Sequence, residues 1–137
     1  MRNHRVGLAI IVAAVCGLAL ASGMAEHRRS GRDFMRQKLA YSQGILEGIT
    51  LEKYDLVISN AVFLRKMNLT NAFLELRNPT YLGSISNFQK SVNTLVLAAQ
   101  DGNTESATEA YTMVARNCVA CHQQFRREQF LRASSGK

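Results

Sequence analysis

Four segments of the sequence repeat apolar or small side chains at alternating spacings of three and four residues. The four stripes are Met35, Leu39, Ser42, Leu46 and Ile49; Tyr54, Val57, Ala61 and Leu64; Tyr81, Ile85, Phe88, Val92, Leu95 and Ala99; and Ala107, Tyr111, Val114, Cys118, Cys121 and Phe125. This spacing places each stripe on one face of an α-helix. Because each helix must bury that face against the others, the pattern predicts an all-α fold, an antiparallel four-helix bundle.

The segments between the stripes predict how the helices connect. Thr50 is expected to cap the second helix, so that the first two helices form a tight antiparallel hairpin. A longer connection, from Asn68 to Thr80, separates the second helix from the third and contains the single proline of the chain. The fourth helix is expected to start near Thr104.

The first 25 residues differ in composition from the rest. Val6 to Ala21 carries no charge and follows Arg2 and Arg5, which is the pattern of an export signal. The uncharged stretch continues to Ala25 and is therefore also long enough for an uncleaved membrane anchor. We divide the chain into residues 1–25, an export signal peptide or an anchor attached through residues 6–25, and residues 26–137, one folded domain. The expected location is exported, either periplasmic or membrane-anchored on the non-cytoplasmic side.

Composition limits what this domain can be. A chain of 137 residues with 47% hydrophobic and 20% charged residues is typical of one globular domain. It has no tryptophan and 7% aromatic residues, so its core would be modest unless a buried cofactor added apolar volume. The net charge is +7, but the basic residues are scattered without interleaved aromatic residues, which argues against nucleic-acid binding.

The strongest chemical signal is the pentapeptide Cys118-Val119-Ala120-Cys121-His122, whose two cysteines fall on the inward stripe of the fourth helix. Thiols at this spacing can form thioethers with the two vinyl groups of one haem, and the imidazole that follows can bind the iron. The sequence therefore predicts one covalent haem c, attached through Cys118 and Cys121 and ligated by His122.

Three other interpretations of the cysteine pair have less support. Both residues could be small buried side chains, but an exported chain that is short of core volume favours a cofactor. A zinc site would need a fourth ligand, and the sequence has no second C-x-x-C and no histidine pair. A thioredoxin-like pair would lie at a helix N-terminus, whereas Cys118 falls deep inside a predicted helix.

The segment from Cys118 to Arg126, C-V-A-C-H-Q-Q-F-R, resembles the haem motif of the cytochrome c-prime family. These are class II c-type cytochromes, four-helix bundles with the haem motif near the C-terminus. The resemblance covers Asp33 to Phe130 by helix count and motif order. It implies that Phe125, the aromatic residue after the motif, belongs to the haem site. It also implies that Arg36, within Met35-Arg36-Gln37, can pair with a haem propionate.

Two functions follow, and the sixth iron ligand separates them. An electron-transfer protein would keep its iron six-coordinate, and Met35 is the predicted ligand because it begins the first stripe, level with the end of the fourth helix that carries His122. A five-coordinate site, with Met35 in the core and Leu39 over the iron, would bind nitric oxide or carbon monoxide, as the resemblance implies. We expect electron transfer, and no catalytic role, because no second histidine lies in the bundle to act as an acid or base.

The expected partners follow from these two functions. Electron transfer requires a redox partner protein, and the alternative requires a small gas ligand. A second copy of this chain, in a homodimer, is a further candidate partner, and no nucleic-acid partner is expected.

Overall fold

A computed structural model describes residues 31–68 and 79–136 of the chain, without the side chains of residues 79 and 80. Within these ranges the chain forms four helices and no strand: α1 over residues 31–50, α2 Tyr54–Met67, α3 Pro79–Gln100 and α4 Thr104–Ser135. The predicted all-α four-helix bundle is confirmed. The predicted signal or anchor, residues 1–25, lies outside the described residues. No helix of the described ranges is both long and apolar enough to cross a bilayer.

The core lies between the four helices within residues Gln37–Lys137, which form one compact unit. Its largest fully buried apolar side chains come from every helix: Ile45, Val57, Leu64, Val92, Leu95 and Val114. Burying each of these side chains stabilises the fold by about 1.5–3 kcal/mol relative to leaving it exposed. The stripes predicted for α2 and α3 are confirmed, since their apolar positions supply most of this core.

Neighbouring helices run antiparallel. Between α1 and α2, the rings of Tyr41 and Phe63 stack with centroids 5.5 Å apart, and towards the turn Gly48 lies against Val57. The turn between them spans residues 51–53, and the turn between α3 and α4 spans residues 101–103. Residues 68–78 separate α2 from α3, which confirms the longer second connection by length.

Both short turns close the preceding helix in the same way. The backbone N–H of Lys53 donates to the Gly48 carbonyl at 2.8 Å, and that of Asn103 donates to the Ala98 carbonyl at 3.0 Å. The residue before each donor has a positive φ, 52° at Glu52 and 63° at Gly102. This is the Schellman arrangement, in which a left-handed residue satisfies the last helical carbonyls.

The predicted cap at Thr50 is wrong. Thr50 is the last residue of α1, and its hydroxyl donates to the Leu46 carbonyl at 2.8 Å. Lys53 stands at the N-cap of α2 without a capping side-chain hydrogen bond. The start of α4 is as predicted, with Asn103 as the cap that accepts a hydrogen bond from the Ser106 N–H at 2.9 Å.

The predicted inward face of α1 is also wrong in part. Leu39 and Leu46 are 58% and 50% exposed, whereas Ile45 and Ile49 are buried. Two glycines explain the rotation, because Gly44 lies against Asn60 and Gly48 against Val57 of α2. Without side chains at these positions, α2 approaches on that side and turns the leucines outward.

Gly48→Ala is expected to destabilise the protein, because its new Cβ would lie 2.8 Å from Val57 Cγ2 and 3.0 Å from the Val57 backbone nitrogen. The backbone cannot yield as a side chain can, so α2 must shift. Gly83→Ala is the matched control, since a Cβ there meets nothing within 4 Å on an exposed face of α3. Alanine raises the helix propensity at both sites, so the steric clash at Gly48 decides the difference between the variants. We expect the free energy of unfolding of G48A to be about 2 kcal/mol below that of G83A in chemical denaturation. Equal midpoints would show that the hairpin is not closely packed at Gly48.

Candidate haem-binding site

The pentapeptide lies in the middle of α4, where the core gives way to a more open face. Cys118 and Cys121 are both half-buried, and both are free thiols. Cys118 packs against the core cluster, one turn beyond the fully buried Val114. His122 follows one turn after Cys118 and is exposed. The two sulfurs therefore lie on one face of α4, with an accessible imidazole beside them.

Two hydrogen bonds fix the register of α3 beside the motif. Directly before it, Asn117 Nδ2 donates to Ser91 Oγ at 2.8 Å. After it, Ser84 Oγ donates to Gln124 Oε1 at 3.1 Å. Because the two helices are antiparallel, Phe88 lies level with the span from Cys118 to Cys121.

A third contact between α3 and α4 lies farther along α4. The Tyr81 hydroxyl donates to Glu128 Oε2 at 2.6 Å. Burial, followed by the Glu128 carboxylate, raises the pKa of Tyr81 to about 12, so the phenol remains a donor at neutral pH. The Tyr81 and Phe125 rings lie beside this bond with centroids 6.5 Å apart. These contacts attach the C-terminal half of α4 to α3.

Lys38 of α1 reaches into the same level of the bundle. Its Nζ donates to Asn68 Oδ1 at 2.8 Å and lies 4.5 Å from the centroid of the buried Phe88 ring. Burial lowers the pKa of the Lys38 ammonium below its usual range. Sequence reasoning missed this residue because the predicted α1 stripe passed through Leu39. Placing Gly44 and Gly48 on the inward face would have included Lys38, which lies two turns before Ile45.

The two thiols share one electrostatic environment. Burial raises the pKa of both Cys118 and Cys121, and the Lys38 ammonium acts against that shift at each of them. Both groups are therefore S–H thiols near neutral pH. Lys38 therefore favours the thiolate form at both sulfurs.

Asn68 is the one buried polar side chain within the described ranges, 1% exposed at the end of α2. Its Oδ1 accepts from Lys38, but its Nδ2 has no hydrogen-bond partner among the described residues. An unsatisfied buried donor costs about 1–3 kcal/mol, so the position is suited to a group that brings an acceptor. No signal in the sequence distinguished this asparagine from a helix-ending residue.

Three further residues, Met35, Arg36 and Phe125, were predicted at the haem site. Met35 and Arg36 lie in the part of α1 that precedes the compact unit Gln37–Lys137, and Arg36 is exposed. Phe125 is on α4 one turn beyond Cys121 and is 41% exposed, against Tyr81 rather than in the core. The roles predicted for Met35, Arg36 and Phe125 at a haem stay predictions.

The residues around the motif fit a haem better than a bare metal ion. Two free thiols on one helix face, the Phe88 ring at their level and an unsatisfied amide at Asn68 together offer attachment points, apolar contact and a polar donor. Residues 31–68 and 79–136 contain no group of three or more His, Cys, Asp or Glu side chains that could hold an ion. The zinc interpretation therefore gains no support from this part of the chain.

Comparison with known proteins gives one match. No curated protein and no solved structure matches the chain. The family model described as Cytochrome C' matches residues 77–126, which include α3 and the part of α4 that carries Cys118, Cys121 and His122. Proteins of this family are generally haem-binding and non-enzymatic, and they are typically periplasmic. The match confirms the resemblance predicted from the motif and supports a c-type cytochrome haem protein.

Proposed function

We propose that this chain is a c-type cytochrome that carries one haem, bound covalently through Cys118 and Cys121 and ligated by His122, and that it transfers electrons. The observation that carries the proposal is the pair of free, half-buried thiols on the inner face of α4, with His122 directly after them. The family match over residues 77–126 supports the haem cofactor.

The thiols would supply the covalent attachment. Each thiol would add its sulfur to one carbon of a vinyl group and its hydrogen to the other. The S–H bond and the vinyl π bond would break, one S–C and one C–H bond would form, and no oxidant is needed. The bound haem supplies the reversible one-electron chemistry of its iron. Phe125 would contribute apolar contact, and Arg36 a cation for a propionate, as the resemblance noted in the sequence implies.

The alternative function is the binding of nitric oxide or carbon monoxide at a five-coordinate iron. The family match supports the haem in either function, and gas binding is the behaviour that the resemblance to cytochrome c-prime implies. The exposure of Leu39 weakens one form of it, because a side chain that is 58% exposed is poorly placed to cover the iron. Met35 as the sixth ligand remains the proposal for the electron-transfer form.

The spectrum of the ferric holoprotein tests the choice. With Met35 as ligand, the wild-type spectrum is expected to show the charge-transfer band of thioether ligation, and Met35→Ala should lose this band because the ligating sulfur is removed. Met113→Ala is the matched control: Met113 is half-exposed on α4, the helix that carries His122, and the band should persist. A high-spin wild-type spectrum that Met35→Ala leaves unchanged would reject electron transfer through Met35 and favour gas binding.

Location and partners follow from the same proposal. Residues 6–25 would direct or attach the domain to the non-cytoplasmic side, where members of the family typically work. A redox partner protein would deliver or accept the electron, and a homodimer is a further proposal.

A further inference from the structure

Lys38 of α1 lies against the end of α2 and against α3 at the level of the motif. Its own helix is α1, its hydrogen-bond acceptor Asn68 ends α2, and the aromatic ring under its Nζ is Phe88 of α3. On the α4 side, its charge acts on Cys118 and Cys121. A lysine side chain at such a junction is uncommon, because charged groups are rarely buried unless they have a role or a partner.

The position of Lys38 beside the motif also follows from helix register. The bonds from Asn117 to Ser91 and from Ser84 to Gln124 bracket the motif, and Phe88 lies between them. An ammonium 4.5 Å from the Phe88 ring is therefore level with the two sulfurs. Any group bonded to both sulfurs begins at this level of the bundle.

We propose that Lys38 is a buried cation of the haem pocket that stabilises the reduced haem, and that Asn68 is the positioning residue that holds it there. The proposal rests on the proposed function, covalent haem at Cys118 and Cys121. Ferric haem carries one more positive charge than ferrous haem, so a neighbouring cation opposes oxidation and favours the ferrous state. Burial strengthens the effect, since a charge inside the protein is screened less than one at the surface.

Asn68 supplies a second, independent observation. It is almost fully buried, it accepts from Lys38 through Oδ1, and its Nδ2 has no acceptor among the described residues. A buried amide with one unsatisfied donor beside an ammonium indicates that a further group with an acceptor completes this pocket. The Asn68 amide oxygen and the Phe88 ring are two of the groups that hold the ammonium.

Redox titration of the holoproteins tests the proposal. Lys38→Met keeps much of the side-chain volume and removes the charge, and we expect the equilibrium constant for reduction to fall about tenfold, a decrease of about 59 mV for one electron. Lys38→Arg keeps the charge and should retain most of the wild-type potential. Lys66→Met is the matched control, because Lys66 is exposed and its Nζ lies 5.7 Å from the ring centroid of the half-exposed Phe63. The equilibrium constant for reduction of this variant should stay within about twofold of the wild-type value.

Asn68→Asp provides a test that keeps Lys38 in place. The new carboxylate would offset the ammonium, so the potential should fall in the same direction as in K38M. Covalent haem attachment is measured first, by haem staining of the denatured proteins. If wild-type protein carries no covalent haem, the proposed function is rejected, and this outcome is distinct from a failure of the role proposed for Lys38. If K38M binds no haem, the reduction potential of the N68D holoprotein tests the proposal. Reduction potentials of haem-loaded K38M and N68D equal to that of wild type would overturn the proposal. A change of spin state in K38M would also overturn it, because it would mark Lys38 as an iron ligand.

Discussion

Cys118→Ala together with Cys121→Ala is expected to abolish covalent haem retention, so that acid-acetone extraction removes all haem from the denatured double variant and none from wild type. The reason is that the two thioethers are the covalent bonds proposed between chain and haem, and both cysteines are free thiols on the same face of α4. Each single variant should still retain haem through the other sulfur.

Cys16→Ala is the matched control for that experiment. Cys16 is the third cysteine of the chain and lies in the predicted export segment, so its replacement should leave the haem content per chain unchanged. The measurement is haem per polypeptide after expression with a c-type maturation system. Haem that extracts freely from wild type, or that survives extraction in the double variant, would contradict attachment through this motif.

The features that could be predicted from the sequence are those set by local pattern. Helix existence and the faces of α2 and α3 follow from residues such as Val57 and Val92, whose spacing alone identifies the buried side. The C-x-x-C-H pentapeptide was equally readable, because its chemistry depends on spacing along one helix. The family match over residues 77–126 includes this pentapeptide and supports a haem cofactor.

The features that could not be predicted depend on contacts between helices. The face of α1 was misassigned because Gly44 and Gly48, which carry no side chain, set the approach of α2 and turn Leu39 outward. Hydropathy counts a glycine as neutral, whereas packing makes it the point of closest approach. Lys38 was missed for the same reason, since a charged residue on a misplaced face is read as surface.

Asn68 shows a second limit. Asn68 contacts Lys38, which lies 30 positions earlier in the sequence. Lys38 is near the start of α1 and Asn68 follows the end of α2. A pattern within one helix cannot report such a pairing, but the antiparallel register brings positions 38 and 68 together once the turn at residues 51–53 is fixed. The polar part of the site is thus a consequence of topology, whereas the cysteines and the histidine are a consequence of local sequence.

The second large effect expected is an uneven loss of order when haem is absent. The fully buried apolar side chains of the bundle, such as Ile45, Val57 and Leu95, lie between the motif and the two short turns. Beyond Val114, α4 presents half-buried cysteines and then exposed apolar residues, of which Phe130 is 74% exposed. Among the described residues, the end of the bundle that carries the motif therefore has fewer fully buried apolar side chains than the end with the two short turns, and a bound haem would add apolar contacts there.

The double cysteine variant, purified without haem, should for this reason unfold with a free energy about 3–5 kcal/mol below that of the holoprotein, the scale found when a large buried side chain is removed. Hydrogen exchange should locate the change: amides of α4 after Cys118 lose most of their protection, and those around Val57 and Leu95 keep protection relative to them. G48A holoprotein is the matched control, since it is expected to weaken the opposite end of the bundle while haem remains bound. Equal unfolding free energies with and without haem would mean that the helices pack fully by themselves, and haem would then be bound to the surface of a finished bundle.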